Sequence, residues 1–206
     1  EPGGPNAGDA ALGGKVTVLS GSTDYDHATP VAKILHAVAP DAQIYAIGMG
    51  ETATLSSFCA KVESLLDQGV RVINMSAGIE RPSGDSDFWY SSYEQWVDHI
   101  SGTHEVTFVK SAGNNEPDLN VTEPGLAHNV ITVGAIDDRE TGGNLADDCF
   151  YYWTCSGNGG DDGCAKPDLV APGRYGPNDI GTSFAAPIVA GLAAQMMEYD
   201  PSLKNR

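Results

Sequence analysis

The side chains that acyl-transfer chemistry uses occur at three distant points of the chain. Ser183 lies in GTSFAAPIVAG, where the apolar residues that follow it keep helical spacing and predict that a helix begins there. A helix N-terminus presents free N–H groups and partial positive charge, so a hydroxyl at that position could attack a carbonyl beside donors for the resulting oxyanion. The simpler alternative is that Ser183 only caps the helix.

His27 and Asn114 supply the other two groups. His27, in DYDHATPVAKIL, precedes a predicted helix and follows a strand and a turn, where an imidazole could act as a general base. Asn114 follows the predicted strand of FVKSAGNNEP, so its amide could donate to an oxyanion at the carboxyl edge of a sheet. Capping and turn formation are the simpler alternatives. The other histidines have no comparable setting, and we treat them as structural: His36, His99, His104 and His128.

Apolar runs rich in Val and Ile alternate with helical patterns along most of the chain. The runs predicted to be strands are residues 15–20, 42–48, 70–76, 105–111 and 129–136. The predicted helices are residues 27–38, 54–68, 87–100 and 181–199. Weak alternation within the runs suits strands that are buried on both faces of a parallel sheet. This order predicts an α/β domain with a mostly parallel central sheet flanked by helices, and with its chemistry at the carboxyl ends of the strands.

Two segments depart from this alternation. Residues 1–14 are rich in Gly and Pro and are predicted to be an N-terminal loop or tail, which places the domain at residues 15–206. Residues 137–182 are rich in Gly, Asp and Pro, and we expect them to form surface loops. The length of 206 residues and the hydrophobic fraction of 41% indicate one globular domain with a sizeable core.

Composition excludes some partners. The net charge is −17 with only 11 Lys and Arg residues, which argues against nucleic acid and anionic membranes as partners. No stretch reaches the roughly 18 apolar residues of a membrane span. The sequence contains no C-x-x-C motif, and this argues against a zinc site. Cys149, Cys155 and Cys164 lie close together in the sequence. A disulfide within this cluster would indicate an oxidising compartment, so we expect a secreted or extracytoplasmic protein, with the pairing left open. The four cysteines are Cys59, Cys149, Cys155 and Cys164.

Four segments, taken in order, resemble the subtilisin-like serine proteases. GTSFAAPIVAG resembles the Gly-Thr-Ser-x-Ala-Ala-Pro nucleophile motif of that family, and KPDLVAPG (166–173) resembles the segment just upstream of it. VINMSAG (72–78) resembles the family's Val-Ile-Asn-Met-Ser-x-Gly strand, and SAGNN (111–115) resembles its oxyanion segment. The resemblance covers most of the chain and implies a three-layer α/β fold and endopeptidase activity on protein or peptide substrates.

The resemblance also implies a role for each candidate residue. Ser183 would be the nucleophile that forms an acyl-enzyme, and His27 would be the general base. Asn114 would stabilise the oxyanion together with the backbone N–H of Ser183. The residues that would bind substrate are Ser76, Ala77 and Gly78, which would pair with a substrate strand, and Ala112 and Gly113, which would line the pocket for the side chain before the cut bond. No cofactor or metal is needed for this chemistry, although the family often carries structural Ca²⁺, whose ligands we do not place.

Proteases of this family use a catalytic triad of Ser, His and Asp. The chain departs from the family pattern at the His and at the Asp. The family's His-Gly-Thr-His-Val-Ala-Gly is replaced by His-Ala-Thr-Pro-Val-Ala-Lys at residues 27–33. The family's triad aspartate ends a strand well upstream of the histidine, whereas the strand here ends in Ser20, too close to His27. None of the nearby acids, Asp9, Asp24 and Asp26, follows a suitable strand.

We therefore expect the aspartate to come from another segment, such as a prodomain or a second chain. This chain alone should then be poorly active, because in a protease of this family loss of the aspartate costs on the order of 10⁴-fold in turnover.

Two alternatives stay open. A degenerate subtilisin-like domain without catalytic activity could bind peptides or partners, which would account for the altered histidine motif. Residues 48–53 also form G-x-G-x-x-A after a strand, a pattern that binds dinucleotides, although the next strand ends in INMSAG without the expected acid.

Overall fold

The computed structural model describes residues 3–21, 26–50, 54–80, 90–115, 121–139, 141, 143–158 and 165–205. Within these ranges the helices are α1 (Ala28–Val38), α2 (Leu55–Leu66), α3 (Ser92–His104) and α4 (Thr182–Tyr199), with a short 3₁₀ helix at Ala10–Leu12. The longer strands are β1 (Val16–Ser20), β2 (Ile44–Ile47), β3 (Val72–Met75), β4 (Thr107–Ser111) and β5 (Val130–Asp137). They are followed by β6 (Cys149–Phe150), β7 (Gly157–Asn158), β8 (Ala165–Lys166) and β9 (Leu169–Pro172).

Local capping decides where α3 begins. The pattern of residues 87–100 placed the helix too early, because the Ser91 side chain accepts from the N–H of Tyr93 and forms a capping box with Glu94. The helix then continues beyond the predicted end to His104, and Glu105 ends it in a left-handed conformation with φ 52°. Residues 87–89, the first part of the predicted helix, lie outside the described residues.

The strands pair in two separate groups. β3, β4, β5 and β9 are parallel neighbours, and β6 joins β5 in the antiparallel sense. β1 and β2 form a parallel pair of their own. Within the described chain, β2 and β3 are not hydrogen-bonded to each other, so the expected central sheet is divided at this point.

The sequence prediction missed structure in both of its loop regions. Residues 137–182 contain β9, which pairs with β5 from Val133 opposite Leu169 onward, so the prediction of surface loops was wrong there. The strand is only four residues long and ends in proline, which explains why composition concealed it. The segment 3–14, expected to be a loop or tail, contains the 3₁₀ helix and the fully buried Leu12.

Burial on both faces of β4 creates three layers. One face packs with α2 and α3 through a cluster that includes Phe58, Val97 and Phe108. The other face packs with α4 through a cluster that includes Val109 and Ala186. All five residues of β4 are buried, so the segment that follows this strand leaves a rigid core.

The β1–β2 pair is attached through packing of α1 against α4. A Cβ atom at Gly191 would lie 2.7 Å from the Cβ of Val38, so only glycine allows the two helices to approach this closely. The Gln195 side chain also donates to the Val38 carbonyl oxygen at 2.5 Å. Between β2 and β3, two cavities of about 140 and 590 Å³ are lined by residues of both strands, including Ile44 and Asn74.

Neither a membrane span nor a disulfide is found in the described part of the chain. No helix there combines the length and the apolar character needed to cross a membrane. Cys59, Cys149 and Cys155 are free thiols, and Cys164 lies outside the described residues. The expected disulfide and the extracytoplasmic location therefore stay predictions.

Candidate active site

Ser183 lies in the first turn of α4 and is hydrogen-bonded to Ser76, the residue that follows β3. Gly181 is the N-cap residue, so Ser183 does not cap the helix. The Ser183 hydroxyl donates to the Ser76 carbonyl oxygen at 3.2 Å, and the Ser76 hydroxyl donates to the Ser183 carbonyl oxygen at 2.8 Å. This reciprocal pair fixes the start of α4 against the carboxyl end of β3, and it leaves Ser183 only 8% exposed.

Asn114 is held by the residue that precedes Ser183. Its Oδ1 atom accepts from the Thr182 backbone N–H at 2.9 Å and from the Thr182 hydroxyl at 2.8 Å. The same hydroxyl accepts from the Gly113 N–H at 3.1 Å. Because both donors fix the oxygen, the Nδ2 group of Asn114 faces away from Thr182, and it has no hydrogen-bond partner among the described residues. The amide can therefore serve as a donor beside Ser183.

Room for this amide is provided by Gly181. A Cβ atom at Gly181 would lie 3.3 Å from the Nδ2 atom of Asn114, which is closer than ordinary van der Waals contact. The backbone is extended there, so the glycine is needed for space and not for a left-handed conformation.

His27 precedes α1 and lies beside the helix that carries Ser183. It occupies the N-cap position without a side-chain capping bond, so its ring does not cap the helix. The imidazole is 5.3 Å from the ring of Phe184 between centroids and is tilted by 45°. Phe184 in turn stacks on Tyr175 at 5.8 Å. The structure thus brings His27 to the turn that carries Ser183, although the Ser183 hydroxyl bonds to Ser76 and not to the imidazole.

The segment 76–78 leaves the carboxyl end of β3. Ser76 is buried, Ala77 is half-buried and Gly78 is exposed. Just beyond them Ile79 exchanges two backbone hydrogen bonds with Glu123, at 3.2 and 3.0 Å. The predicted substrate-pairing segment is therefore anchored at both ends, by Ser76 and by Ile79.

Ala112 and Gly113 lie next to the segment 76–78, and Thr122 contacts both segments. Ala112 is buried, and its carbonyl oxygen accepts from the Thr122 N–H at 3.0 Å. A Cβ atom at Gly113 would lie 3.0 Å from the Thr122 Cγ2 atom, and one at Gly78 would lie 2.2 Å from its hydroxyl oxygen. Thr122 therefore contacts both segments and closes the space between them.

Thr122 and Thr182 were missed as site residues when only the sequence was read. Thr182 stands in the nucleophile motif beside Ser183, and its position in GTS was the available signal. For Thr122 the sequence gives no signal, because a return of the chain brings it to the site.

Of the acids near His27 in the sequence, Asp9 is engaged elsewhere. Asp9 pairs with Lys33 at 2.6 Å and accepts from the Ala11 N–H at 2.9 Å. The hydrogen bond from Lys33 is the main cause that lowers the pKa of Asp9. Asp26 is exposed, and Asp24 lies outside the described residues.

The described residues contain no group of three or more His, Cys, Asp or Glu side chains arranged to hold a metal ion. Structural calcium remains an untested prediction. Part of the G-x-G-x-x-A segment, residues 51–53, lies outside the described residues. The Gly48 and Met49 carbonyl oxygens both accept from Lys61 at 2.7 Å, so the rest of this segment is already engaged within the protein.

Comparison with known proteins decides the family. The model of the Subtilase family matches residues 5–206. The chain belongs to the subtilase family. This subtilase is 30% identical over 180 residues to M-protease of Shouchella clausii (strain KSM-K16) and to Subtilisin Savinase of Lederbergia lenta, with 82% of this chain covered in each case. It spans 41% and 58% of the lengths of those two proteins, and 15% of the length of pyrolysin from Pyrococcus furiosus, to which it is 30% identical over 217 residues.

Solved structures agree on the fold. A psychrophilic protease, S41, superposes with a TM-score of 0.75 at 22% identity, covering 98% of this subtilase and 76% of that chain. The S218A mutant of the protease domain of PatA gives a TM-score of 0.74 at 23% identity, with 97% and 78% covered. These likenesses confirm the three-layer α/β fold predicted from the sequence.

Proposed function

We propose that this subtilase is a serine endopeptidase that cleaves peptide bonds through an acyl-enzyme on Ser183. The observation that carries the proposal is the pair of hydrogen bonds that the Thr182 N–H and hydroxyl donate to the Asn114 Oδ1 atom, at 2.9 and 2.8 Å. These bonds fix the Asn114 Nδ2 donor relative to the hydroxyl of Ser183, the residue that follows Thr182 in the first turn of α4. Pre-organised donors of this kind are worth most where negative charge develops during acyl transfer.

The steps follow from the positions of these groups. The Ser183 oxygen attacks the substrate carbonyl carbon while His27 takes the hydroxyl proton. The negative charge that forms on the carbonyl oxygen is stabilised by the Asn114 Nδ2 group and the Ser183 backbone N–H. Protonated His27 then gives its proton to the leaving amine, and water releases the acyl group by the same steps in reverse. For the first step the Ser183 hydroxyl must exchange its bond to Ser76 for one to His27.

A carboxylate for His27 would come from a segment that fills the gap between β2 and β3. Both strands present unpaired backbone at this gap within the described chain, and cavities of about 140 and 590 Å³ lie there. The Asn74 Oδ1 atom is buried in this region without a partner in the described residues. A parallel strand inserted here would satisfy these groups and end at the sheet edge near α1, where an aspartate would orient the imidazole and stabilise its charged form.

Labelling with a fluorophosphonate probe tests the proposal directly. The protein is expressed from its complete reading frame, so that any additional strand is present, and labelling of Ser183 is located by peptide mass spectrometry. We expect stoichiometric labelling and cleavage of casein, with Ser183→Ala as the control that loses both. An unlabelled protein with native circular dichroism would overturn the proposal.

A peptide-binding domain without catalysis is the second candidate. It is favoured by the bond of the Ser183 hydroxyl to the Ser76 carbonyl at 3.2 Å, which leaves the nucleophile unactivated in this state. Binding of a casein-derived peptide that is equal for the wild type and Ser183→Ala, without cleavage by either, would favour this candidate.

A further inference from the structure

We propose that Tyr175 is a positioning residue for catalysis: through the ring of Phe184 it fixes the plane of the His27 imidazole beside Ser183. The inference rests on the proposed function, because it concerns the general base of that same reaction. Phe184 occupies the position that is open in the Gly-Thr-Ser-x-Ala-Ala-Pro pattern, and Tyr175 lies in the short segment before that motif. The two aromatic residues are therefore features of this chain beyond the pattern that it shares with the family.

The rings of Tyr175, Phe184 and His27 form an aromatic row. Phe184 contacts both of the others: its centroid is 5.3 Å from that of His27, with the planes tilted by 45°, and 5.8 Å from that of Tyr175, with the planes at 26°. At both distances aromatic rings attract each other beyond the effect of buried area. Phe184 is only 6% exposed, whereas Tyr175 and His27 are half-buried. The middle ring is thus enclosed by protein and connects the tyrosine to the imidazole.

Phe184 is anchored next to the nucleophile. It follows Ser183 in the first turn of α4, and its N–H donates to the Gly181 carbonyl oxygen at 3.0 Å. The Ser183 carbonyl oxygen accepts from the Ser76 hydroxyl at 2.8 Å, so the backbone on this side of Phe184 is held as well. A side chain in a helix has few allowed χ1 rotamers. The Phe184 ring therefore keeps a defined place relative to the Ser183 hydroxyl.

Tyr175 is held by a short loop that is closed by backbone hydrogen bonds. Residues 173–181 connect β9 to α4. The Tyr175 N–H donates to the Asp179 carbonyl oxygen at 2.9 Å, and the Gly181 N–H donates to the Gly173 carbonyl oxygen at 2.8 Å. The loop thus closes on itself at two levels, and Tyr175 is a fixed support for the ring beside it.

Tyr175 also approaches α1, the helix that His27 precedes. Lys33 lies on this helix, and its ammonium group pairs with Asp9 at 2.6 Å. The hydrogen bond to Asp9 is the main cause that raises the pKa of Lys33, and the phenol of Tyr175 adds to the increase. The Tyr175 side chain is therefore near both the helix that carries Ser183 and the helix that follows His27.

The plane of the imidazole decides whether His27 can act as the base. One ring nitrogen must take the proton from the Ser183 hydroxyl and then deliver it to the leaving amine, so it has to point at both groups in turn. The torsion that sets the plane of a histidine ring has broad wells, and contacts with neighbouring groups have to narrow them. The contact with Phe184 supplies such a constraint, and Tyr175 keeps Phe184 from turning away.

The test measures kcat and KM for cleavage of a casein-derived peptide by the protein from its complete reading frame, with active enzyme counted by fluorophosphonate titration. Tyr175→Leu should lower kcat by roughly ten- to a hundredfold with little change in KM, because the substrate still binds but the base is misaligned. Tyr175→Phe should stay within about twofold of the wild type, since the stack needs only the ring. If Tyr175→Leu does not fold, Tyr175→Met takes its place.

A double-mutant cycle tests whether Tyr175 acts through Phe184. Phe184→Leu should lower kcat at least as much as Tyr175→Leu does, because it removes the ring that contacts the imidazole. The double variant should be no slower than Phe184→Leu alone, since two residues that act as one unit do not give additive losses. Losses that multiply would overturn the action through Phe184.

Tyr90→Leu is the matched control. The Tyr90 ring also packs on a histidine, His128, at 5.2 Å between centroids and a tilt of 42°. His128 precedes β5, at the opposite end of the strands from Ser183. Tyr90→Leu should therefore leave kcat unchanged even where it lowers the free energy of unfolding.

The outcomes separate the two proposals. A labelled, active wild type whose folded Tyr175→Leu variant keeps its kcat overturns the role of Tyr175 and leaves the proposed function standing. An equal loss of kcat in Tyr175→Phe, or in Tyr90→Leu, does the same. If Ser183 of the wild type is not labelled and no peptide is cleaved, the proposed function fails, and the positioning proposal falls with it.

Discussion

Two halves of the candidate site are held in place by different interactions. The nucleophile half, which comprises β3, β4 and the first turn of α4, is connected by hydrogen bonds: Ser183 with Ser76, and Thr182 with Asn114. The histidine half, which comprises α1 and the β1–β2 pair, is joined to it by packing at Gly191, by the hydrogen bond from the Gln195 side chain to the Val38 carbonyl oxygen, and by the contact between the rings of His27 and Phe184.

This difference indicates what each half can do unaided. Short hydrogen bonds fix both the position and the direction of a donor, so Asn114 is oriented before substrate binds. Packing of α1 on α4 holds His27 next to the first turn of α4. The gap between β2 and β3 lies between the two halves. Attachment of the histidine half, which depends mainly on packing of α1 on α4, is therefore the weaker of the two.

The strongest test of the comparison is whether the two halves work as one catalytic unit. In the protein expressed from its complete reading frame, Ser183→Ala and His27→Ala should each lower kcat by about 10⁶-fold, the scale known for a protease of this family, because each removes the activated nucleophile. The double variant should be no worse than either single one. If the losses instead multiply, the halves act separately and the triad interpretation is wrong.

The next largest effect should come from the oriented amide. Asn114→Ala should lower kcat by about 10²–10³-fold with little change in KM, since the donor stabilises charge that forms only in the transition state. Asn115→Ala is the control, because the Asn115 side chain donates to Glu80 at 2.8 Å and not toward Ser183. Equal losses in the two variants would contradict the role given to Asn114.

The sequence predicted the helices and long strands because each carries its own signal. The runs that became β3, β4 and β5 are apolar along their length, and α2 has a capping box at Thr54 and Ser57. Strand β9 carried no such signal, since four residues that end in a proline and are followed by a glycine resemble a loop. The division between β2 and β3 was also hidden, because an apolar strand looks the same whether or not its neighbour is present.

The site was predicted unevenly for the same reason. Ser183, His27 and Asn114 could be proposed because each begins or ends an element with a local pattern. Thr122 could not, because it reaches the site only through the return of the chain to Ala112 and Ile79.

The packing that joins the halves can be disturbed at a single position. In Gly191→Ala the new methyl group would lie 2.7 Å from the Val38 Cβ atom, so α1 must move away from α4. We expect a loss of about 1–3 kcal/mol in the free energy of unfolding, typical of overpacking, and a slower fluorophosphonate reaction as His27 shifts. Both are measurable by urea unfolding and stopped-flow labelling.

The control for this variant is Gly102→Ala in α3. A Cβ atom there would meet nothing within 4 Å, so helix propensity should stabilise the protein by roughly 0.5–1 kcal/mol. A stabilised Gly191→Ala variant with unchanged labelling would show that the α1–α4 contact does not position His27.

The smallest expected effect concerns the ion pair on the outer side of the histidine half. Asp9→Asn keeps a side chain able to accept from the Ala11 N–H, as the carboxylate does at 2.9 Å, but removes the charge that pairs with Lys33 on α1. The hydrogen bond from Lys33 lowers the pKa of Asp9 below its ordinary 3.8, and the bond to Asp9 raises the pKa of Lys33 above 10.5. The pair should therefore stabilise the wild type at neutral pH by a small amount, as exposed pairs do.

The directions of the two pKa shifts decide at which pH the Asp9–Lys33 pair stabilises the protein. A lowered carboxylate pKa means that the stabilisation is complete above pH 3.8 and is lost as the pH falls through the folded-state value. A raised lysine pKa means that it is present below pH 10.5 and is lost as the pH rises further. Amide hydrogen exchange in the first turn of α1 should thus be faster in Asp9→Asn than in the wild type near pH 7, with no difference in strong acid.

Asp200→Asn is the counterpart in α4. The pKa of Asp200 is also lowered, first by the hydroxyl and then by the N–H of Ser202, but this residue lies at the far end of α4 from Ser183. Its substitution should leave exchange in the first turn of α1 unchanged. If both variants loosen α1 equally, the two halves share one cooperative unit of stability, and the weaker attachment inferred for the histidine half would have to be given up.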